Sequence, residues 1–259
     1  MRDDPQPSSP HIRLRDVHFA FGRRRVFSGL SCDFPRGEIS VILGYSGVGK
    51  STLLRLIAGL LRPDSGVIEV AGVDVSRLSE RELRGTQARI GMLFQGGALL
   101  DSLSVFDNLA LPLREHLTLE SDQIAARVHG QLQAVGLDRE VARLLPSQLS
   151  GGMLRRTALA RSMMLEPEIL LCDEPFSGLD PVSLQRIEAV LLDLNRKLGI
   201  TVLIVSHNIG STLRVATHTL LLLPDRSVTG PPEKLRASRD PEVAAFFKDE
   251  RTGRVPDAG

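Results

Sequence analysis

The segment Gly44-Tyr-Ser-Gly-Val-Gly-Lys50-Ser51-Thr52 limits what this chain of 259 residues can be more than any other feature. It fits G-x-x-x-x-G-K-[ST], the pattern of a loop whose backbone amides surround a phosphate oxygen. An apolar run, 39–43, precedes it, and 51–61 carries Leu53, Leu54, Ile57, Leu60 and Leu61 at helical spacing after it. Strand, loop and helix in that order put a helix N-terminus, with its partial positive charge, at the phosphate. Gly44, Gly47 and Gly49 permit close backbone approach, and Ser46 and Thr52 lie on the same loop. Lys50 supplies a compact charge to the β and γ phosphates, while the Ser51 hydroxyl has the place of a Mg2+ ligand. With only four lysines against 28 arginines, a lysine at this spot is itself informative. A chain of this composition matches the pattern by chance about four times in a thousand, which sets aside a mere glycine-rich turn.

A second signal is Ile169-Leu-Leu-Cys-Asp173-Glu174, an apolar strand that ends in two carboxylates. Ligands of parallel sheets bind at the C-terminal ends of the strands, so this pair is expected beside the phosphate loop. Asp173 is placed to hold Mg2+ and Glu174 to orient or deprotonate an attacking water. Around these motifs the pattern predicts antiparallel strands at 11–19 and 25–34, short strands at 67–70 and 89–94, and buried strands at 169–172 and 201–205. Helices are expected near 121–136, 151–165, 183–198 and 241–247. Strands alternating with helices argue for a parallel sheet covered on both faces, interrupted by a helical insertion.

Charge and composition exclude other classes. Lys plus Arg is 32 and Asp plus Glu 31, a net +1, so no global field draws the chain to nucleic acid or anionic lipid. Cys32 and Cys172 stand singly, without metal or disulfide spacing, which points to the reducing cytosol. The first ten residues lack the apolar stretch of a secretory signal, and the run 220–223 is far below the roughly 20 residues that span a bilayer. Arg155, Arg156 and Arg161 are expected on a solvated helix face, Arg23, Arg24 and Arg25 in a basic turn, and Tyr45 facing outward. Neither arginine cluster has the aromatic interleaving of a nucleic-acid site.

Further motifs carry a resemblance. Gln95 after a strand, Leu149-Ser-Gly-Gly-Met153 before a helix, Ser177-Gly-Leu-Asp-Pro181 after the acid pair and His207 after a strand resemble the ordered motifs of an ABC-transporter ATPase subunit, over about 11–230. The resemblance implies an α/β P-loop NTPase (RecA-like) core with an N-terminal antiparallel β subdomain and an inserted helical subdomain. As domains, it implies one ABC ATPase over 1–259. This comprises a polar leader at 1–10, the nucleotide-binding core with its β subdomain at 11–95 and 166–230, the helical subdomain at 96–165, and a tail at 231–259. It implies ATP and Mg2+ as cofactors and a homodimer in which Ser150, Gly151 and Gly152 bind the γ phosphate held by the other copy. Ser150 also suits a helix cap. His207 is implied as a switch on the γ phosphate, Gln95 as a nucleotide sensor touching water or Mg2+, and Asp180 as a residue of the dimer interface. Phe21 matches the position that stacks on adenine, with Phe19 close enough to compete.

Two positions depart from the general pattern, Met153 where glutamine is usual and Asn208 where aspartate is common. Together with Phe94-Gln-Gly-Gly-Ala-Leu99, Val105-Phe-Asp-Asn108 and Pro112-Leu-Arg-Glu-His116, the signature resembles the ATPase of Mla-type lipid transporters, which are linked to MCE proteins in two-membraned bacteria. That narrower resemblance implies a Mla-type permease, a small STAS-domain partner, an MCE-domain subunit and phospholipid cargo. It places the chain peripherally on the cytoplasmic face of the inner membrane, held there through the permease only. An ABC ATPase for a non-lipid cargo and a DNA-repair type ABC ATPase stay as alternatives. The short segment 95–165, which lacks the long coiled coil of the repair enzymes, argues against the second.

Overall fold

A computed structural model describes residues 10–252. The leader expected over 1–10, apart from Pro10, and the tail's end at 253–259 lie outside the described residues. The chain opens with β1 (Pro10–Phe21) and β2 (Arg24–Pro35), which pair antiparallel across a turn at 22–23. Both are longer than the alternation predicted. β3 (Ile39–Gly44), buried along its whole length, feeds the phosphate loop and α1 (Lys50–Ile57). The helix stops short of the expected Leu61, because the chain turns left-handed at Gly59 and leaves Leu60 half-exposed.

β4 (Ser65–Val70), β5 (Val73–Asp74), α2 (Glu80–Gln87) and β6 (Ile90–Leu93) follow. Next come α3 (Val105–His116), α4 (Ser121–Ala134), two 3-10 turns (Arg139–Arg143 and Pro146–Gln148) and α5 (Gly151–Ser162). The chain then returns to the sheet through β7 (Ile169–Asp173), α6 (Pro181–Leu198), β8 (Thr201–Val205), α7 (Ile209–Val215) and β9 (His218–Leu222). It finishes in β10 (Ser227–Gly230), α8 (Pro232–Arg236) and α9 (Pro241–Thr252).

The strands form two sheets, an antiparallel one ordered β2-β1-β4-β5 and a second ordered β10-β9-β3-β8-β7-β6. The second is parallel from β9 to β6, with β10 antiparallel on its edge. Side-chain alternation divides its two faces between two cores. Val41, Leu170, Cys172, Val202 and Ile204 join the core with α3 to α9. Ile42, Ile169, Leu171, Leu203 and Val205 join the core with α1 and the antiparallel sheet. Both faces are therefore covered, which is why β3, β7 and β8 consist of fully buried residues. No helix among the described residues is long and apolar enough to cross a membrane.

The position of β8 organises the site. It lies between β3 and β7, so the residues that follow it fall between the phosphate loop and the two carboxylates. Sequence order alone puts β8 after both.

Candidate nucleotide site

The loop between β3 and α1 borders a cleft of about 380 Å3. The cleft is lined by Ser46, Gly47, Gly49, Lys50, Ser51 and Thr52 from the loop, Phe21, Arg24 and Val26 from the hairpin, and Gln95 and Glu174 from the ends of β6 and β7. Gly49 has φ +109, and a Cβ there would stand 2.6 Å from Val26 Cγ1, so only glycine fits between the loop and the hairpin. Lys50 Nζ donates to the carbonyls of Gly44 (2.7 Å) and Tyr45 (3.0 Å), which holds its charge at the loop's mouth.

Behind the loop the hydroxyl of Ser51 donates to Asp173 Oδ1 at 2.8 Å. Asp173 is buried at the end of β7, and Gln95 lines the same cleft. A hydroxyl, a carboxylate and an amide oxygen are hard donors, and a single carboxylate is what a Mg2+ ion asks of a protein when substrate phosphates complete its shell. These residues fit the ion.

Glu174 adopts φ +50, a left-handed conformation that strains a residue with a Cβ by roughly 1–3 kcal/mol. Its amide donates to the carbonyl of Val205 at 3.0 Å, which pins the strained turn to β8. This aims the carboxylate into the cleft. His207, just past β8, brings Nδ1 to 2.9 Å from Glu174 Oε2, at ion-pair distance but without hydrogen-bond alignment. The next residue, Asn208, caps α7 by accepting from the amide of Ser211. Here asparagine does the capping work that aspartate does elsewhere.

The structure separates Phe19 from Phe21. Phe19 is 6% exposed and packed in the core, whereas Phe21 is 50% exposed on the cleft with its ring edge-on to Phe19 at 4.8 Å. The hairpin register pairs Phe21 with Arg24, which carries Arg24 to the cleft, where it donates to the carbonyl of Gly47 at 3.2 Å. Arg24 and Val26 line the cleft, and sequence reasoning missed both. Arg24 is not merely part of a basic turn, and the hairpin register was the signal that could have found it.

Ser150, Gly151, Gly152 and Asp180 do not line this cleft. Ser150 caps α5 by accepting from the amide of Met153. Asp180 caps α6 by accepting from the amides of Val182 and Ser183, and hydrogen bonding from the Ser183 side chain, then from its amide, holds the Asp180 carboxyl below the usual range. Both helix starts are thus formed, yet they stand away from the chain's own phosphate loop.

Two expectations are corrected. Arg155 and Arg156 are 7% and 8% exposed, and Arg161 is partly buried, because their guanidinium groups clip backbone carbonyls. Arg156 donates to Val135 and Gly136, Arg161 to Gly97 and Ala98 just past Gln95, and Arg155 to Ser177. A planar donor fork suits this task, and the carbonyls make burial of the charge tolerable. Tyr45 does not simply face outward. Its ring sits edge-on to Phe246 of α9 at 5.2 Å, so the residue is packed against the core.

Comparison with known proteins agrees with this geometry. The family profile described as ABC transporter matches residues 27–177. The chain is 43% identical over 246 residues to the intermembrane phospholipid transport system ATP-binding protein MlaF of Escherichia coli (strain K12), covering 95% of this chain and 91% of that one. It is 39% identical over 254 residues to the probable ribonucleotide transport ATP-binding protein mkl of Mycobacterium leprae, covering 98% and 73%. Among solved structures, cbiO1 from Clostridium perfringens, part of the ABC transporter complex cbiONQ, superposes with a TM-score of 0.81 at 27% identity, covering 94% of this chain and 97% of that one. The ATP-binding cassette MJ0796, in a dimeric post-hydrolysis state with ADP and Pi, superposes with a TM-score of 0.78 at 28% identity, covering 85% and 98%. With its phosphate loop, acid pair and following histidine gathered at one end of a parallel sheet, the chain belongs to the ABC transporter family and is one of its ATP-binding cassettes, an ATPase.

Proposed function

We propose that two copies of this chain close on two molecules of ATP with Mg2+ and that hydrolysis reopens them, powering phospholipid transport between the inner and outer membranes. Each ATP lies between the phosphate loop of one copy and residues 150–152 of the other. The observation that carries this reading is a split site. Loop, carboxylates and His207 converge on one cleft, while the capped start of α5, a second anion-binding helix end, lies outside it. Each half lacks what a second copy supplies. The dimeric ADP- and Pi-bound structure of MJ0796 is of the same fold.

In the closed dimer Lys50 and the loop amides hold the β and γ phosphates, Phe21 stacks on the base, and Asp180 sits beside the partner copy's loop. Ser51, Asp173 and Gln95 hold Mg2+, which when bound neutralises charge on the phosphates. Glu174 takes a proton from the water that attacks the γ phosphorus, and His207, beside that carboxylate, contacts the γ phosphate. Because both copies grip this phosphate, its loss removes a shared contact and shifts the equilibrium toward the open form.

The cargo follows from relatives. The phospholipid-system protein matches at higher identity and over more of its length than the ribonucleotide-system one, which favours phospholipid. The partners are then a Mla-type permease, a STAS-domain subunit and an MCE-domain subunit, and the chain sits on the cytoplasmic face of the inner membrane through the permease. No contact with nucleic acid is required.

The test is Glu174→Gln in the full complex. ATP binding should persist and closed dimers accumulate while turnover falls at least about a hundredfold, the scale of losing a general base. Undiminished phosphate release removes Glu174 from that role. Mass spectrometry of the intact complex should find phospholipid with MCE- and STAS-domain subunits. A peptide or sugar cargo without lipid-handling subunits rejects the cargo assignment and leaves the ATPase standing.

A further inference from the structure

The start of α5 is tied to the segment that links Glu174 to α6 within the same copy. A Cβ on Gly152 would lie 2.4 Å from Ser183 Oγ, so the signature turn and the first turn of α6 are in direct contact. One helical turn farther along α5, Arg155 reaches back to the same segment, its Nη2 donating to the carbonyl of Ser177 at 3.3 Å. Ser177 in turn donates its amide to the carbonyl of Glu174. Arg155 is 7% exposed, and its buried Nη1 has no hydrogen-bond partner.

An arginine that only stabilised the fold would be expected to satisfy its buried nitrogens, as Arg156 and Arg161 do with pairs of carbonyls. Arg155 holds one carbonyl and leaves a donor unused in a sealed site. Burial lowers its pKa, and Cys172 and Glu174 act on its charge in the opposite sense.

We infer that Arg155 is a positioning residue that couples the two ATP sites of the dimer, because it joins the helix touching the partner copy's γ phosphate to the turn that aims this copy's own Glu174. This rests on the dimer proposed above. When the partner's phosphate draws on Ser150, α5 moves as a rigid element, and Arg155 carries the shift through Ser177 to the strained φ of Glu174. Occupation of one site thereby sets the carboxylate of the other, and the unused Nη1 donor is left to take a partner as the turn moves.

The variant that tests this is Arg155→Met, an unbranched apolar chain that fills a similar buried space without the charge, with Arg155→Lys as the conservative companion. Full-length chain in its membrane complex is assayed for initial turnover against MgATP concentration. Binding of a fluorescent ATP analogue to the chain and its melting temperature are measured alongside. Wild type should show a Hill coefficient well above 1, with the two sites as its ceiling. Arg155→Met should bring it to about 1 and lower kcat about tenfold to a hundredfold, with analogue affinity within about twofold of wild type. Arg155→Lys should recover part of the cooperativity. The inference is overturned if Arg155→Met keeps the wild-type Hill coefficient. It is equally overturned if affinity and melting temperature collapse along with turnover, or if the variant does not fold, since the residue is then structural. A non-cooperative wild type overturns the coupling as well, whereas failure of Glu174→Gln to accumulate closed dimers brings down the dimer reading.

Discussion

At the scale of single residues, the cleft is built by putting like side chains in unlike surroundings. Phe19 and Phe21 are two apart on one strand, yet one fills the core and the other stands on the cleft. Phe21→Ala should weaken ATP binding by about 1–3 kcal/mol, the worth of one base stacked on an aromatic ring, so roughly 5-fold to 150-fold in Kd, with little change in melting temperature. Phe19→Ala should do the reverse, lowering stability by about 3–5 kcal/mol as a buried ring is lost. Calorimetric titration with ATP and a thermal melt on both variants separate the two effects, and equal loss of binding in both would undo the assignment. Candidates from the loop, the acid pair and His207 were legible in the chain because each follows a buried strand. Arg24 was not, since nothing in a run of three arginines says which one a hairpin register will carry to the loop.

At the scale of elements, α3 shows where periodicity misleads. Pro112 sits inside it, where a proline removes a helix hydrogen bond, and the helices expected within the insertion, near 121–136 and 151–165, leave this stretch out. Tertiary contacts override that bias, for Val105, Leu109, Ala110 and Leu113 are all buried. The helix start is fixed by Ser104, whose hydroxyl accepts from the amide of Asp107, and by Asn108. Asn108 is fully buried. Its Oδ1 accepts from the amide of Leu100 and its Nδ2 donates to the carbonyls of Leu100, Leu103 and Ser104. One amide thus fastens the loop that follows Gln95, which gives the Val105-Phe-Asp-Asn108 motif a physical meaning. Asn108→Ala strands these backbone groups and should destabilise the chain by about 2–4 kcal/mol, at the unmet-partner cost of about 1–3 kcal/mol per group with some relaxation. Urea denaturation measures it, and a change below about 0.5 kcal/mol would show the loop is held by something else. α2 was likewise hidden by its length, eight residues with only Thr86 buried, although Ser79 and Glu82 form its capping box.

At the scale of the whole molecule, the C-terminal helices close the side of the sheet opposite the antiparallel layer, and α9 reaches the phosphate loop itself. Phe246 is 1% exposed and meets both Tyr45 and Phe247 edge-on. The Phe246-Phe247 pair packs within the chain's own core. Phe246→Ala should cost about 3–5 kcal/mol, which for a chain of this size lowers the melting temperature by about 6–20 °C. Because Tyr45 would lose its cover, ATP affinity should fall as well, and unchanged affinity in the folded variant would show that the loop is indifferent to the tail.

The sequence by itself determined the chemistry and the class of fold. Phosphate loop, acid pair and buried strands are local patterns, each set by neighbours in the chain and by the need to bury apolar runs. Only the tertiary structure decided that β8 slips between β3 and β7, so that His207 meets Glu174. It also decided that the arginines of α5 turn inward onto carbonyls and that Tyr45 is covered by Phe246. Strand order and the pairing of distant side chains depend on how two faces of one sheet are filled at once, and no window along the chain contains that condition.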